Sequence, residues 1–267
     1  MQFDFGQNWV RFSKAALTPE KAEQARRDFL RLFEGIDLAG RTFLDIGFGQ
    51  GLGLIAAQKA GARVFGTDIN PKCREALALS ASVLGISLDV PVVIGSILDK
   101  RVLFDLAGCA PPRGKFSIVH SWGVLHHTGD MQAAIENASS LVDDDGHFVI
   151  AIYNRHWSSP LWRVIKRLYC CAPAWSTSVL TAAFFPVIAL AKFLVTGKNP
   201  FVKNRGMDFY YDVADWIGGY PYEYASRADM VRRVERLGFT CVRVEQSEVP
   251  TGCNEFVFKK TARLAAR

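Results

Sequence analysis

The 267-residue chain has six cysteines, at 73, 109, 170, 171, 241 and 253, yet no C-x-x-C pair and no metal-ligand spacing among them. A zinc ribbon, a dithiol redox motif and a disulfide scaffold are therefore excluded as organising principles, and no metal is expected. The opening stretch, MQFDFGQNWVRF, lacks an apolar signal region, which predicts reduced thiols and a cytoplasmic location. The vicinal pair Cys170-Cys171 reads as buried apolar residues rather than a redox couple. No basic tail, internal repeat or low-complexity linker is present. The 32 Lys and Arg residues are scattered among 26 acids, so a formal charge of +6 is weak support for a nucleic-acid partner, and none is expected. What is present is apolar: 49% hydrophobic residues, with 12% aromatic, are ample for the core of one large domain.

Hydrophobic periodicity divides that domain. TPEKAEQARRDFLRLFE, residues 18 to 34, predicts a helix capped by Thr18 with Pro19 in its first turn, inside an N-terminal helical cap over 1–38. A βα alternation follows. RTFLDIG, RVFGTDI, VPVVIGSI and KFSIVHSW read as four strands, and DDDGHFVIAIYN as a turn and a fifth. LGLIAAQKAGA, PKCREALALSASVLG and DMQAAIENASSLV read as helices between them. Such alternation implies a parallel, doubly wound α/β sheet with ligands at the strand C-terminal ends. An insertion over 155–224 breaks the rhythm before a helix (RADMVRRVERLG) and two strands (FTCVRVEQ, NEFVFKK) complete the single domain.

Glycine falls on every second position from Gly47 to Gly53, directly after the strand that ends at Asp45. A strand, a bare turn and a helix start form a site for an anion or the polar part of a nucleotide-like ligand. Neither Gly47-x-Gly49 nor Gly49-x-Gly51 has the third glycine of the dinucleotide fingerprint, and no G-K-[ST] closes a P-loop. What is left is D-x-G-x-G-x-G. With the acid in GTDI, LDIGFGQG resembles the class I S-adenosylmethionine (SAM)-dependent methyltransferases, over Arg41 to about Asn154. The resemblance implies a Rossmann-like, seven-stranded fold with SAM as cofactor. Gly47, Gly49 and Gly51 would wrap its methionine part, Asp68 with Ile69 would hold the ribose, and Ser96 and Ile97 the adenine. Ser121 and Trp122 would lie by the transferred methyl, and Asp45 would organise the loop near the amino group. Independently, a carboxylate offers paired acceptors to a vicinal diol. Phe48 and Ser96 depart from the family pattern, which commonly has a small residue and an acid there.

Methyl transfer needs alignment and exclusion of water, and a base if the acceptor is a hydroxyl. HSWGVLHHTGD offers His126 and His127, with Asp130 to orient an imidazole; the alternative is that the histidines only pack. This region resembles the ubiquinone-pathway O-methyltransferases, in which a histidine stands at the place of His127 and a glutamate at that of His126. Tyr153 and Asn154 end the fifth strand at the same mouth.

From Leu168 to Ala191 the insertion has 24 uncharged residues, between Arg163, Lys166, Arg167 and Lys192, Lys198. Pro173 and Pro186 argue against a bilayer span, as does the return of the chain to the same sheet. Two readings remain: a helical cap, or a peripheral dock over 168–198 on the inner membrane face. RGMDFYYDVADWIGGYPYEYAS, residues 205 to 226, clusters aromatics outside any regular period and reads as a lid carrying Trp216 and Tyr220 to the acceptor. It resembles a bacterial class I group with a D-W-[IL]-G-G-Y-P-[YF]-E signature. The expected acceptor is small or lipid-linked and methylated on oxygen. RNA methylation and a non-catalytic SAM-binding partner subunit are the alternatives.

Overall fold

The computed structural model describes residues 4–110, 113–199, 201 and 209–261. Seven strands form one sheet: β1 (Thr42–Ile46), β2 (Arg63–Asp68), β3 (Val92–Ile94), β4 (Phe116–Trp122), β5 (Val142–Tyr153), β6 (Phe239–Glu245) and β7 (Cys253–Lys260). Their order is β3-β2-β1-β4-β5-β7-β6. The first five are parallel, and β7 runs antiparallel between β5 and β6. Central position explains the composition of β1, whose five residues are all buried because strands and helices cover it on every side.

The order reverses beside β1, where β2 and β4 flank it, so the ends of these strands leave a crevice. Helices α3 (Leu52–Lys59), α4 (Lys72–Val83), α5 (Lys100–Cys109), α6 (Met131–Ser140) and α10 (Arg227–Glu235) clad the sheet. Two apolar clusters result. One joins Leu44, Phe116, Val119, Phe148 and Phe256 under α5, α6 and α10. The other joins Phe29, Phe33, Phe43, Leu54 and Ile118 under α2 (Pro19–Leu32) and α3. As expected, the side chain of Thr18 caps α2 through the Lys21 amide.

Several boundaries differ from the sequence expectation. α1 (Phe5–Ala15) is a separate helix whose amphipathic pattern buries Val10 and Phe12. α5 was not anticipated: Asp99 caps it, and it buries Val102 and Leu106 one turn apart. β5 starts at Val142, before the expected turn, and absorbs Asp143–Asp145 as an irregularity opposite Phe116 and Ile118. The insertion contains α7 (Ser159–Cys171), α8 (Ala174–Thr196) and α9 (Phe209–Gly218). Aromatic residues expected outside any period thus include a helix. Phe209, Val213 and Ile217 lie four apart and pack on Tyr169 and the inner side of α8. Residues 205–208 of the signature stretch lie outside the described residues. Among the cysteines, Cys73 is buried but Cys171 is exposed, so the vicinal pair is not an apolar core element.

Candidate active site

The turn after β1 is built by sterics. Gly49 and Gly51 have φ of +56° and +80°, a region costly for any residue with a Cβ. A Cβ on Gly49 would also stand 2.9 Å from the Trp9 indole nitrogen, and one on Gly47 would collide with Val124. Gly53 clears a different neighbour, since its Cβ would lie 2.8 Å from Asp45 Oδ2. The alternating glycines therefore bare the main chain and leave room for an acid beneath it.

Asp68, at the end of β2, accepts the Gly49 amide on Oδ2 at 3.1 Å and the Asn70 amide on Oδ1 at 2.9 Å. Burial pushes its carboxyl up, against the lowering effect of those two amides. Each oxygen keeps further lone pairs for a diol. Asp45 instead pairs with His120: Oδ1 lies 2.7 Å from Nδ1, both side chains are almost wholly buried, and Phe29, Phe33 and Phe43 enclose the imidazole. Gly95, Ser96 and Ile97 line the same cavity as Asp68, beside exposed Ile69. Ser96 Oγ accepts the Leu98 amide, a local turn contact.

That cavity, of about 1150 Å³, runs from Asp68 past Gly47 and Trp122 to His127, Tyr153 and Trp216. Its roof comes from α1, through Phe5 and Trp9, and from α9, and the two are tied by a 2.7 Å bond from Asn8 Nδ2 to Asp215 Oδ1. Trp122 is fixed by its indole N–H donating to Glu255 at 2.6 Å.

His127 Nδ1 lies 2.6 Å from the Pro221 carbonyl. A carbonyl only accepts, so Nδ1 carries the proton of the neutral ring and Nε2 keeps its lone pair. Burial, and then the charge of Lys166, drive the His127 pKa down to about 3. The imidazole is neutral at ordinary pH.

Not every residue expected at the site reaches it. His126 is fully buried; its Nδ1 accepts the Tyr153 amide at 3.3 Å, and it does not line the cavity. Asp130 touches neither imidazole. It caps α6 through the Ala133 amide, and the Pro221 carbonyl orients His127 in its place. Ser121 is wholly buried, with Oγ donating to the Ile46 carbonyl at the end of neighbouring β1, and does not line the cavity. Asn154 braces β5, donating to the Pro250 carbonyl and accepting from Asn254. Gly51 sets the turn without lining the cavity, and Tyr220, joined to Pro221 by a cis peptide bond, does not line it either.

A family model described as a methyltransferase domain matches residues 19–244. The chain belongs to the methyltransferase-domain family. Its sheet has the Rossmann-like class I methyltransferase fold, and SAM is the cofactor that the family implies. Curated relatives are partial matches. The ribosomal protein L11 methyltransferase of Edwardsiella ictaluri is 37% identical over 102 residues, 32% of this chain and 35% of that protein. The ubiquinone biosynthesis O-methyltransferase of Cupriavidus pinatubonensis is 23% identical over 172 residues, 64% and 65% of the two chains. The chain thus spans less than two thirds of the length of these relatives. In fold, it is similar to magnesium protoporphyrin IX methyltransferase from Synechocystis, a structure with bound SAH, at TM-score 0.54 and 17% identity over 98% of this chain and 90% of that one.

Three features of the methyltransferase escaped sequence reasoning. His120 faces Asp45 only because β4 pairs with β1 in the register Asp45↔His120. Phe5 and Trp9 reach the cavity through the fold of α1 over α4. The third is Lys166, fully buried on α7, with Nζ donating to the Trp216 carbonyl and lying over the rings of Tyr153, Trp216 and Tyr222 at 5.4, 4.5 and 4.8 Å. Burial lowers its ammonium pKa to about 7. In sequence it looked like one of several bases beside an apolar run, and no periodic signal marked it.

Proposed function

We propose that this methyltransferase moves the methyl of SAM to an oxygen of a small or lipid-linked acceptor, with Asp68 holding the ribose and His127 taking the acceptor proton. The observation that carries this reading is His127 itself: a neutral imidazole, fixed through Nδ1, on the wall of a cavity that begins at the bare glycine turn. SAM, when bound, supplies an electrophilic methyl on a sulfonium. The residues around it supply position. Asp68 anchors one end, Trp122 and Val124 crowd the turn, and Phe5, Trp9 and Trp216 keep water out.

A base held neutral by burial has low proton affinity, so it is matched to an acidic hydroxyl, phenolic or enolic, better than to an alkyl alcohol. The cavity lining also carries Asp212, Glu245, Glu248 and Glu255 against Arg31, Lys192 and Lys198, while burial pushes the carboxyl of Asp215 up. An excess of acids along the lining disfavours a phosphodiester backbone and supports a small acceptor over RNA.

The test is transfer from SAM labelled at its methyl into fractionated cell extract, with calorimetry of SAM binding in parallel. Label in an organic-soluble small molecule is the expected result. Label confined to RNA or protein would overturn the acceptor class, and SAM binding without label in any fraction would make the chain a cofactor-binding subunit.

A further inference from the structure

α8 has an exposed side that carries no polar group. From Val179 to Val195 every exposed residue is Ala, Pro, Val, Leu or Phe, including Val187, Leu190, Phe193 and Leu194, the last 72% exposed. The opposite side is occupied: Leu180, Phe184, Phe185 and Ile188 pack on α9 and Tyr169. α7 repeats the pattern. Leu161, Val164 and Leu168 form an exposed stripe three and four residues apart, while Lys166 and Tyr169 turn inward, and Trp157 just before the helix is 84% exposed. Exposed apolar area on this scale marks a partner.

Charge identifies that partner. Between Asp145 and Asp208 the sequence has no Asp or Glu, but eight Lys and Arg residues. Arg163 and Arg167 lie on α7, Lys192 in the last turns of α8 and Lys198 two residues past its end. A second copy of the chain would set like charges against each other across a symmetric contact, whereas an anionic lipid surface complements them. Val179–Thr196 is long and apolar enough to cross a bilayer by length and composition. Its inner side is packed against the protein, so the helix lies along the surface instead.

We propose that the exposed face of α7 and α8 docks on an anionic membrane surface and that the acceptor cavity opens beside the docked helix. Lys192 of α8 and Lys198 and Asn199 just past its end line the cavity, and Lys198 pairs at 2.8 Å with Glu248 of the loop between β6 and β7, which lines it too. An acceptor with a lipid tail enters from the headgroup layer, its polar end leading toward His127 while the tail stays in lipid. Docking does not depend on the proposed chemistry and is measured without turnover.

The experiment is co-sedimentation of the full chain with vesicles of phosphatidylcholine alone and of phosphatidylcholine mixed with phosphatidylglycerol, at low and high salt. The wild type pellets with the mixed vesicles, more weakly at high salt. Leu190→Glu and Leu194→Glu each cut its partition coefficient about tenfold or more, since each withdraws a full apolar side chain. Their SAM affinity, by calorimetry, stays at the wild-type value and shows that they are folded. Wild-type protein that remains in the supernatant with both vesicles overturns the proposal, as do glutamate variants that pellet undiminished. A lipid-free dimer in sedimentation velocity that Leu190→Glu dissolves would assign the face to a second copy and equally overturn it.

Discussion

On the proposed reading two side chains divide the chemistry between them, and their environments suit the division. Asp68 sits where loop amides from Gly49 and Asn70 support a carboxylate, which suits the binding part proposed for it. His127 sits where burial and a carbonyl enforce one neutral tautomer, which suits the proton-receiving part proposed for it. Asp68→Asn keeps the shape and removes the charge. It should weaken SAM binding by about 1.5–3 kcal/mol, the worth of a charge-assisted hydrogen bond, as read by titration calorimetry. His127→Gln should leave that affinity unchanged and lower kcat by about 10²- to 10⁴-fold. An equal loss of SAM affinity in the glutamine variant would place His127 in cofactor binding. Asp45 and His120 act one layer below: Gly53 leaves space for the carboxylate, and three phenylalanines hold its partner, so this pair supports the turn from beneath.

Among the elements, the insertion matters most because α9 supplies Asp212, Asp215 and Trp216 to the cavity while depending on α7 and α8 for its own burial. Ile217 is wholly buried in that contact. Ile217→Ala should cost about 2–5 kcal/mol where the site cannot collapse. The loss should appear as a lower melting temperature and, with α9 loosened, a higher KM for the acceptor. A normal KM alongside the lowered melting temperature would mean that α9 walls the cavity without shaping the acceptor site. The dependence of α9 on its neighbours also explains what could be read in the sequence. β1, its glycine turn and the acid of β2 were legible because local constraints, a buried run and positive φ, write themselves into residue type. The roles of Asp130 and His126 were not. Asp130 is a helix cap, and a cap has the same composition as a catalytic orienter. His126 is packed against the rings of His127 and Tyr153, at 4.4 and 4.1 Å between centroids, contacts that residue type does not reveal. Lys166 was hidden for a similar reason: which side of α7 is inside is decided by Trp216 and Tyr222, some fifty residues later.

For the molecule as a whole, burying ionisable groups behind the cavity makes stability depend on pH. His126 and His127 both have pKa values driven down by burial. Their unfolded forms bind protons below about pH 6.5 while the folded ones do not, so acid costs stability in that window. Lys166 works in a separate range, because its folded pKa is about 7 against an ordinary 10.5. Below pH 7 it is charged in both states, and the folded protein carries the full cost of a buried ammonium. Between 7 and 10.5 the unfolded chain binds the extra proton, so this cost fades as pH rises. Lys166→Met keeps the stem inside the ring cage and removes the charge; buried charges are often replaced by apolar residues without loss. The variant's stability relative to wild type should therefore be highest at or below pH 7 and decline by about 1.4 kcal/mol per unit above it. Urea unfolding of both proteins at several values from pH 6 to 9 measures this directly. A difference that stays constant over the range would mean that Lys166 keeps its proton in the folded state, and that the three rings and the Trp216 carbonyl suffice to hold an ammonium behind the acceptor chamber.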